Sequence, residues 1–189
     1  MSRYAADHKE KTRARVIDLA AQRIRAQGLG GLGVAGVMSE AGLTHGGFYA
    51  HFPSRDALLA EAVTRLFDIA CEAVEHAEAK YSARALEKYA DYYLSSRHRD
   101  GVDEGCPVPA LSSEIRNAAP MVREAFEAGL VRLAETLGRI TPLGGRPGGR
   151  KAGLALLAEM SGALSLSRTI ADPKRSNALL ADVRSQLFA

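Results

Sequence analysis

Residues 42–59, GLTHGGFYAHFPSRDALL, constrain the fold more tightly than any other stretch of this chain. Gly42 supplies the positive backbone angle of a tight interhelical turn, and Thr44 stands where a hydroxyl caps the helix that follows. In that short helix Phe48 and Phe52 lie four residues apart and share an inward face, while His45 and Tyr49, equally spaced, point outward. Gly46 and Gly47 each cost about 1 kcal/mol of helix propensity relative to alanine, which fits a backbone that must approach another surface closely. Pro53 ends the helix. Ser54 caps the next one, with Arg55 and Asp56 in its first turn, and such a helix start receives a phosphate.

Helical periodicity dominates the remainder, with no alternating strand pattern of useful length, so the chain is read as all-α. Leu59, Ala62, Val63, Leu66, Phe67, Ala70 and Val74 form a continuous apolar stripe on one helix. A second helix is predicted over about 83–97, with Leu86, Tyr89, Tyr93 and Leu94 along one side, broken by the polar stretch RHRDGVDEG at 97–105. A short helix follows CPVP. Another runs from about Pro120 to Ile140, carrying Val122, Phe126, Leu130, Leu133 and Leu137 on one face. TPLGGRPGGR at 141–150 reads as a linker rather than helix. Two final helices are expected over 151–171 and 173–188, separated by Asp172 as cap and Pro173 in the first turn.

Four segments, TRARVIDLAAQRIRAQG at 12–28, VAGVMSEAGL at 34–43, THGGFYAHF at 44–52 and PSRDALL at 53–59, resemble the DNA-binding domain of the TetR/AcrR family of transcriptional regulators. The resemblance implies an N-terminal three-helix domain with a helix-turn-helix, placed at 1–52, and a helical effector-binding and dimerisation domain at 53–189. It implies a DNA-binding regulator, a repressor released from its operator by a small molecule, and no enzyme. Thr44, His45, Gly46 and Gly47 would then face the groove, and Tyr49, His51, Arg55 and Thr12 would hold phosphates, with Val34 at the start of the first helix of the motif also in the DNA-binding set. The chain departs from the family where members open that helix with Thr or Ser, since Leu32 and Gly33 stand there. Ala35 and Gly36 replace a common Arg-Asp pair, and Arg55 replaces a lysine, keeping the charge but changing the geometry. The first helix of the motif therefore starts with one phosphate contact fewer.

Charge placement agrees. The 189 residues carry a net charge of +3, with 25 Lys or Arg against 22 Asp or Glu. Residues 1–60 hold eight of those cations and five of those anions, which leaves 17 of each beyond, so the whole excess lies in the first 60. Such a bias is expected where phosphates bind, although a solvated basic face would look similar. No apolar run approaches the roughly 18 residues of a membrane span, and the first residues lack the hydrophobic stretch of a signal peptide, so a cytoplasmic location is expected. Cys71 and Cys106 have neither metal-ligand nor CxxC spacing, and no GxGxxG or phosphate-binding GK motif occurs, so neither metal nor cofactor is expected.

The sequence LALLAEMSGALSLSRTI is small and aliphatic nearly all round, which suggests that a partner covers it; the other reading is a central buried helix. The family resemblance implies a homodimer through the last two helices, matched to a palindromic double-stranded operator. Tyr89, Tyr92, Tyr93, Cys106, Phe126 and Met160 are candidates to line an effector pocket, or else core; Glu114 and Arg123 are candidate polar contacts. Cys106 precedes Pro107 where a helix begins, and backbone N–H groups there lower a thiol pKa while Asp103 and Glu104 oppose them. GCPVPALSSEI is similar to the Gly-Cys opening found in a branch of TetR-like repressors, which implies an alternative as a redox- or electrophile-sensing repressor; a structural buried cysteine is the competing reading. Cys71 reads as packing. Two further rivals are a thiol enzyme using Cys106 with His98 and a nearby carboxylate, and a sequence-nonspecific DNA-binding protein.

Overall fold

The computed structural model describes residues 3–143 and 146–188, with side chains for 8–142 and 147–188. Helix α1 (Arg3–Gln27) places Val16, Ala20, Ala21 and Ile24 on one buried face. A 3-10 turn at Leu29–Gly31 leads to α2 (Val34–Glu40), which begins at Gly33 with no side-chain cap, as the missing Thr or Ser requires. Gly42, at φ 73°, closes α2: its amide donates to Ser39 O (3.0 Å) and the Leu43 amide to Met38 O (2.8 Å). Those two bonds are a Schellman motif, and only glycine takes the left-handed angle without strain.

The turn delivers the chain into His45–Ala50, which is a 3-10 helix rather than the α-helix expected. Two glycines in six residues remove the propensity for regular α-winding. Thr44 holds the cap position, but its hydroxyl makes no capping bond; its carbonyl accepts from Gly47 N at 3.0 Å instead. Phe48 and Phe52 are buried as expected, 5.6 Å apart and stacked. Ser54 does cap α3 (Arg55–Tyr81), its hydroxyl accepting from Ala57 N at 3.1 Å.

The α3 helix carries the predicted stripe and packs against α1 at one end and the carboxy-terminal bundle at the other. The single helix expected over 83–97 is three pieces: a 3-10 turn at Ser82–Arg84, α4 (Ala85–Tyr93) and α5 (Ser96–Asp100). Ser82 at φ 49° interrupts the chain, and Ser95 starts a new helix by accepting from His98 N at 3.2 Å, so part of the polar stretch is helical. Helix α6 (Pro107–Ile115) and α7 (Pro120–Ile140) follow, each with proline at the first turn. The expected linker is partly structured, Pro142–Leu143 pairing antiparallel with Arg146–Pro147. Helix α8 (Gly149–Thr169) packs on α7, and Asp172 caps α9 (Pro173–Gln186) through Lys174 N and Arg175 N. Among the described residues no helix is long and apolar enough to cross a membrane, and no cluster of potential metal ligands forms.

Candidate functional site

Two places concentrate chemistry. The first is the outer side of residues 44–51. Beneath it the stacked Phe48 and Phe52 form a dry anchor, with Arg13 lying 4.9 Å over the Phe52 ring and bonded to Glu61 at 2.5 Å. Above it Thr44, His45, Gly46 and Tyr49 are exposed, Tyr49 at 72%. Gly47 is half-buried, so the backbone at Gly46 is the part most open to an approaching surface. His51 is recessed, its Nδ1 shut away without a partner and its carbonyl accepting from Arg13 Nε. Thr12 pairs with His8 through its hydroxyl (3.2 Å), and Val34 is half-buried against the core rather than presented outward.

Arg55 departs from its reading as a phosphate ligand. Its Nη2 donates to Leu29 O at 2.7 Å and its Nε to Leu32 O at 3.0 Å, so the guanidinium staples the bend between α1 and α2. The Leu29 amide is held from the other side by Glu114 of α6, at 2.9 Å. Glu114 is thus a junction between α6 and the amino-terminal unit, away from the cavity beside α4. Gly28 makes this approach possible: it sits at φ +75°, and a Cβ there would overlap the Glu114 carboxylate.

The second place is a cavity of about 350 Å³ that brings together Tyr89, Tyr92, Tyr93 and Cys106, four of the six residues read as an effector pocket. Phe126 and Met160 are elsewhere: Phe126 packs edge-on against Phe67, and Met160 is fully buried on α8. Arg123 is exposed on α7. Arg25, from the last turns of α1, and His98 line the same cavity, with Ile69 of α3 and Glu104.

His98 is the pivot of this site. Its Nδ1–H donates to Tyr93 O (2.8 Å) and its Nε2 accepts from the Cys106 amide (3.0 Å), which fixes a neutral tautomer. Burial pushes its pKa below the ordinary histidine value, and nearby Arg168 and Arg25 act in the same direction against the Tyr93 carbonyl bond. With Nε2 engaged by a backbone amide, its lone pair is not available to deprotonate a thiol, which removes the basis of the thiol-enzyme reading.

Cys106 occupies the N-cap position of α6, at the helix start as expected, but its thiol is buried, and burial raises its pKa above the ordinary value despite the opposing Tyr93 hydroxyl, Val108 amide and Arg168. The expected activation by the helix start is outweighed by desolvation. Cys71 is buried too, its pKa raised by desolvation and opposed chiefly by a bond with Thr136. The sequence pairs His98 with Cys106 only as a thiol-enzyme base, and it does not point to Arg25 at all, because nothing local says that α1 comes to lie beside α4.

Residues 16–62 match the sequence model of the bacterial regulatory proteins of the tetR family. No curated relative matches the chain. Among solved structures, the reduced form of E. coli NemR superposes with a TM-score of 0.77 at 18% identity, covering 94% of this chain and 95% of that one. A TetR-family regulator from Agrobacterium tumefaciens gives 0.74 at 19% identity over 94% and 98% of the two chains. A TetR regulator from Chloroflexus aurantiacus gives 0.68 at 24% identity over 96% and 94%. These likenesses establish the fold over nearly the whole chain, and the matched segment, which spans α2 and the 44–52 turn described above, is similar to the tetR family of bacterial regulatory proteins.

Proposed function

We propose that this protein is a cytoplasmic, homodimeric, DNA-binding repressor that leaves a palindromic operator when a small molecule occupies the cavity beside α4. The observation that carries the reading is the two-sided build of residues 44–52: a buried Phe48–Phe52 anchor beneath exposed Thr44, His45, Gly46 and Tyr49. That combination holds a backbone rigidly while presenting it to a groove. Residues 1–52 form the DNA-reading part and 53–189 the effector and dimerisation part. Base contacts by His45 specify; phosphate contacts by Tyr49 and Thr12 position. The test is selection of bound fragments from random DNA, followed by variants on the selected operator. Tyr49→Phe lowers affinity for all sequences alike, His45→Ala changes the preferred sequence, and a folded Gly46→Trp protein with full operator affinity would overturn the placement.

The dimer reading is supported by α8, which turns Leu157, Met160 and Leu164 inward and leaves Leu154, Ala158, Gly162 and Leu166 exposed on its other sides, with Ala178 and Ala181 exposed on α9. Small residues let a second copy approach, and two-fold symmetry sets half-sites about 34 Å apart. The route from cavity to DNA runs through α6, whose start is Cys106 and whose last turn holds Leu29 through Glu114. A ligand that moves the α6 start shifts that grip, and operator affinity falls by selection of the displaced state.

A second reading has its own observation. Cys106 sits at the start of α6 with Tyr93 and Arg168 bearing on its thiol, and the NemR structure is that of a reduced form. In this reading Cys106 is modified by an oxidant or electrophile after a transient opening, since the resting thiol is buried. Treatment with a small quinone, comparing the parent with Cys106→Ser, separates the two: equal release of operator by both proteins excludes the sensor.

A further inference from the structure

Two polar groups that line the α4 cavity are buried and poorly answered. Arg25 Nε is shut off from solvent without a hydrogen-bond partner, the Tyr93 hydroxyl is equally buried with only the weakly bonding Cys106 thiol bearing on it, and both residues line the cavity. Tyr93 is 1% exposed. Buried polar atoms are well paired in the large majority of cases, so an orphaned guanidinium nitrogen beside a weakly paired hydroxyl at one small cavity marks a place where an acceptor belongs. Arg25 makes no ion pair among the described residues, and burial pulls its pKa down, with Asp103 and Glu104 acting only through space against that trend. Tyr89, Tyr92 and Ile69 give the wall an aromatic and aliphatic stretch, with His98, Cys106 and Glu104 as its further polar or polarisable members.

We propose that this cavity binds a small aromatic monocarboxylate, its carboxylate accepting from the Arg25 guanidinium and its oxygens in reach of the Tyr93 hydroxyl, with the ring against Tyr89, Tyr92 and Ile69. An amine is disfavoured, because it would sit beside Arg25 with Arg168 close behind Tyr93. A dicarboxylate is disfavoured as well, because Glu104 lines the same cavity and Asp103 is near. One negative charge balances the unpaired guanidinium. A cavity of about 350 Å³ suits a single substituted ring. This assignment deepens the effector reading above and names its ligand class.

The experiment is isothermal titration of the full chain, without DNA, with benzoate and cinnamate and with benzamide as the uncharged counterpart. One carboxylate per chain binds, and benzamide binds at least about tenfold more weakly, as loss of a charge-assisted bond implies. Arg25→Gln weakens benzoate by about tenfold or more, whereas Glu104→Gln, on an exposed loop, strengthens it severalfold by removing a like charge. Opposite signs at the two positions cannot come from misfolding. Equal binding of benzamide and benzoate, no effect of Arg25→Gln in a protein with native circular dichroism, or no binding of either carboxylate overturns the proposal. The same ligands are then added to the operator complex: binding in the cavity with operator affinity unchanged keeps the site and removes the effector reading.

Discussion

The turn at residues 44–52 and the cavity beside α4 solve opposite problems with similar residues. In the turn, two phenylalanines are buried so that Tyr49 and a glycine backbone can be exposed, and the polar surface faces water. In the cavity, Tyr89 and Tyr93 are themselves buried, and the polar atoms point inward with no partner or with a single fixed one. An outward surface meets a large charged partner whose counterions supply much of the affinity. An inward one meets a small molecule whose fit to desolvated groups decides affinity. The two therefore differ in how salt, truncation and pH act on them.

Salt gives the largest contrast. A dimer of the proposed kind neutralising about six to ten phosphates loses roughly three to five decades of operator affinity between about 50 and 200 mM salt. Carboxylate binding in the cavity, shielded from solvent, changes far less over that range. Fluorescence anisotropy on operator and calorimetry on ligand, run in the same buffers, make the comparison; a flat operator response would sink the DNA reading.

Truncation comes next. Phe52→Ala removes a fully buried ring and lowers stability by about 3–5 kcal/mol, while Tyr49→Phe, on an exposed ring, leaves stability within about 0.5 kcal/mol and acts on DNA binding alone. Urea midpoints for both proteins test the pair. Similar losses at the two positions would mean that Tyr49 is structural.

The turn was legible in the sequence because its determinants are local. Gly42, the Phe48–Phe52 spacing and Ser54 all act within a few residues, and each does in the structure what its chemistry predicts. Thr44 is the exception, since the 3-10 winding forced by Gly46 and Gly47 takes the amide that its hydroxyl would have met. The cavity was half legible. Tyr89, Tyr92 and Tyr93 share a helical stripe and Cys106 is marked by its place at a helix start, but Phe126 and Met160 carry the same apolar signal and belong to the core. Periodicity shows which face is apolar, not which neighbour covers it. Arg25 at the cavity and the Glu114 contact join segments up to 85 positions apart, and only packing brings such residues together.

The junction between the two regions is the third test. Glu114→Ala leaves the Leu29 amide without its acceptor and costs about 1–3 kcal/mol if that amide stays buried. The sharper readout is coupling: with ligand saturating the cavity, operator affinity in Glu114→Ala changes less than in the parent. Undiminished coupling would place the route through another contact.

The smallest effect, and the most specific to the cavity, is the pH dependence carried by His98. Its Nε2 must keep a lone pair to accept from the Cys106 amide, while Arg25 of α1, Arg168 of α8 and the rings of Tyr92 and Tyr93 on α4 surround it. A proton added at Nε2 would set one N–H against another and place a third positive charge near the two arginines. The native pKa therefore lies below the unfolded value of about 6.5. With the folded value depressed, the unfolded chain takes up the proton first as pH falls. The stability contributed by this arrangement is complete above about pH 6.5 and is lost as pH falls from there toward the lowered native value, at about 1.4 kcal/mol per unit of separation. His98→Gln retains an acceptor for the Cys106 amide and cannot titrate. Thermal midpoints of parent and variant, followed from about pH 8 to pH 5, should run parallel above the histidine range and converge or cross below it as the parent loses its advantage. The other histidines contribute to both curves equally and cancel in the difference. A difference that stays constant with pH would show that His98 keeps its tautomer without a protonation penalty, and the cavity would then lack the desolvation that sets it apart from the exposed turn.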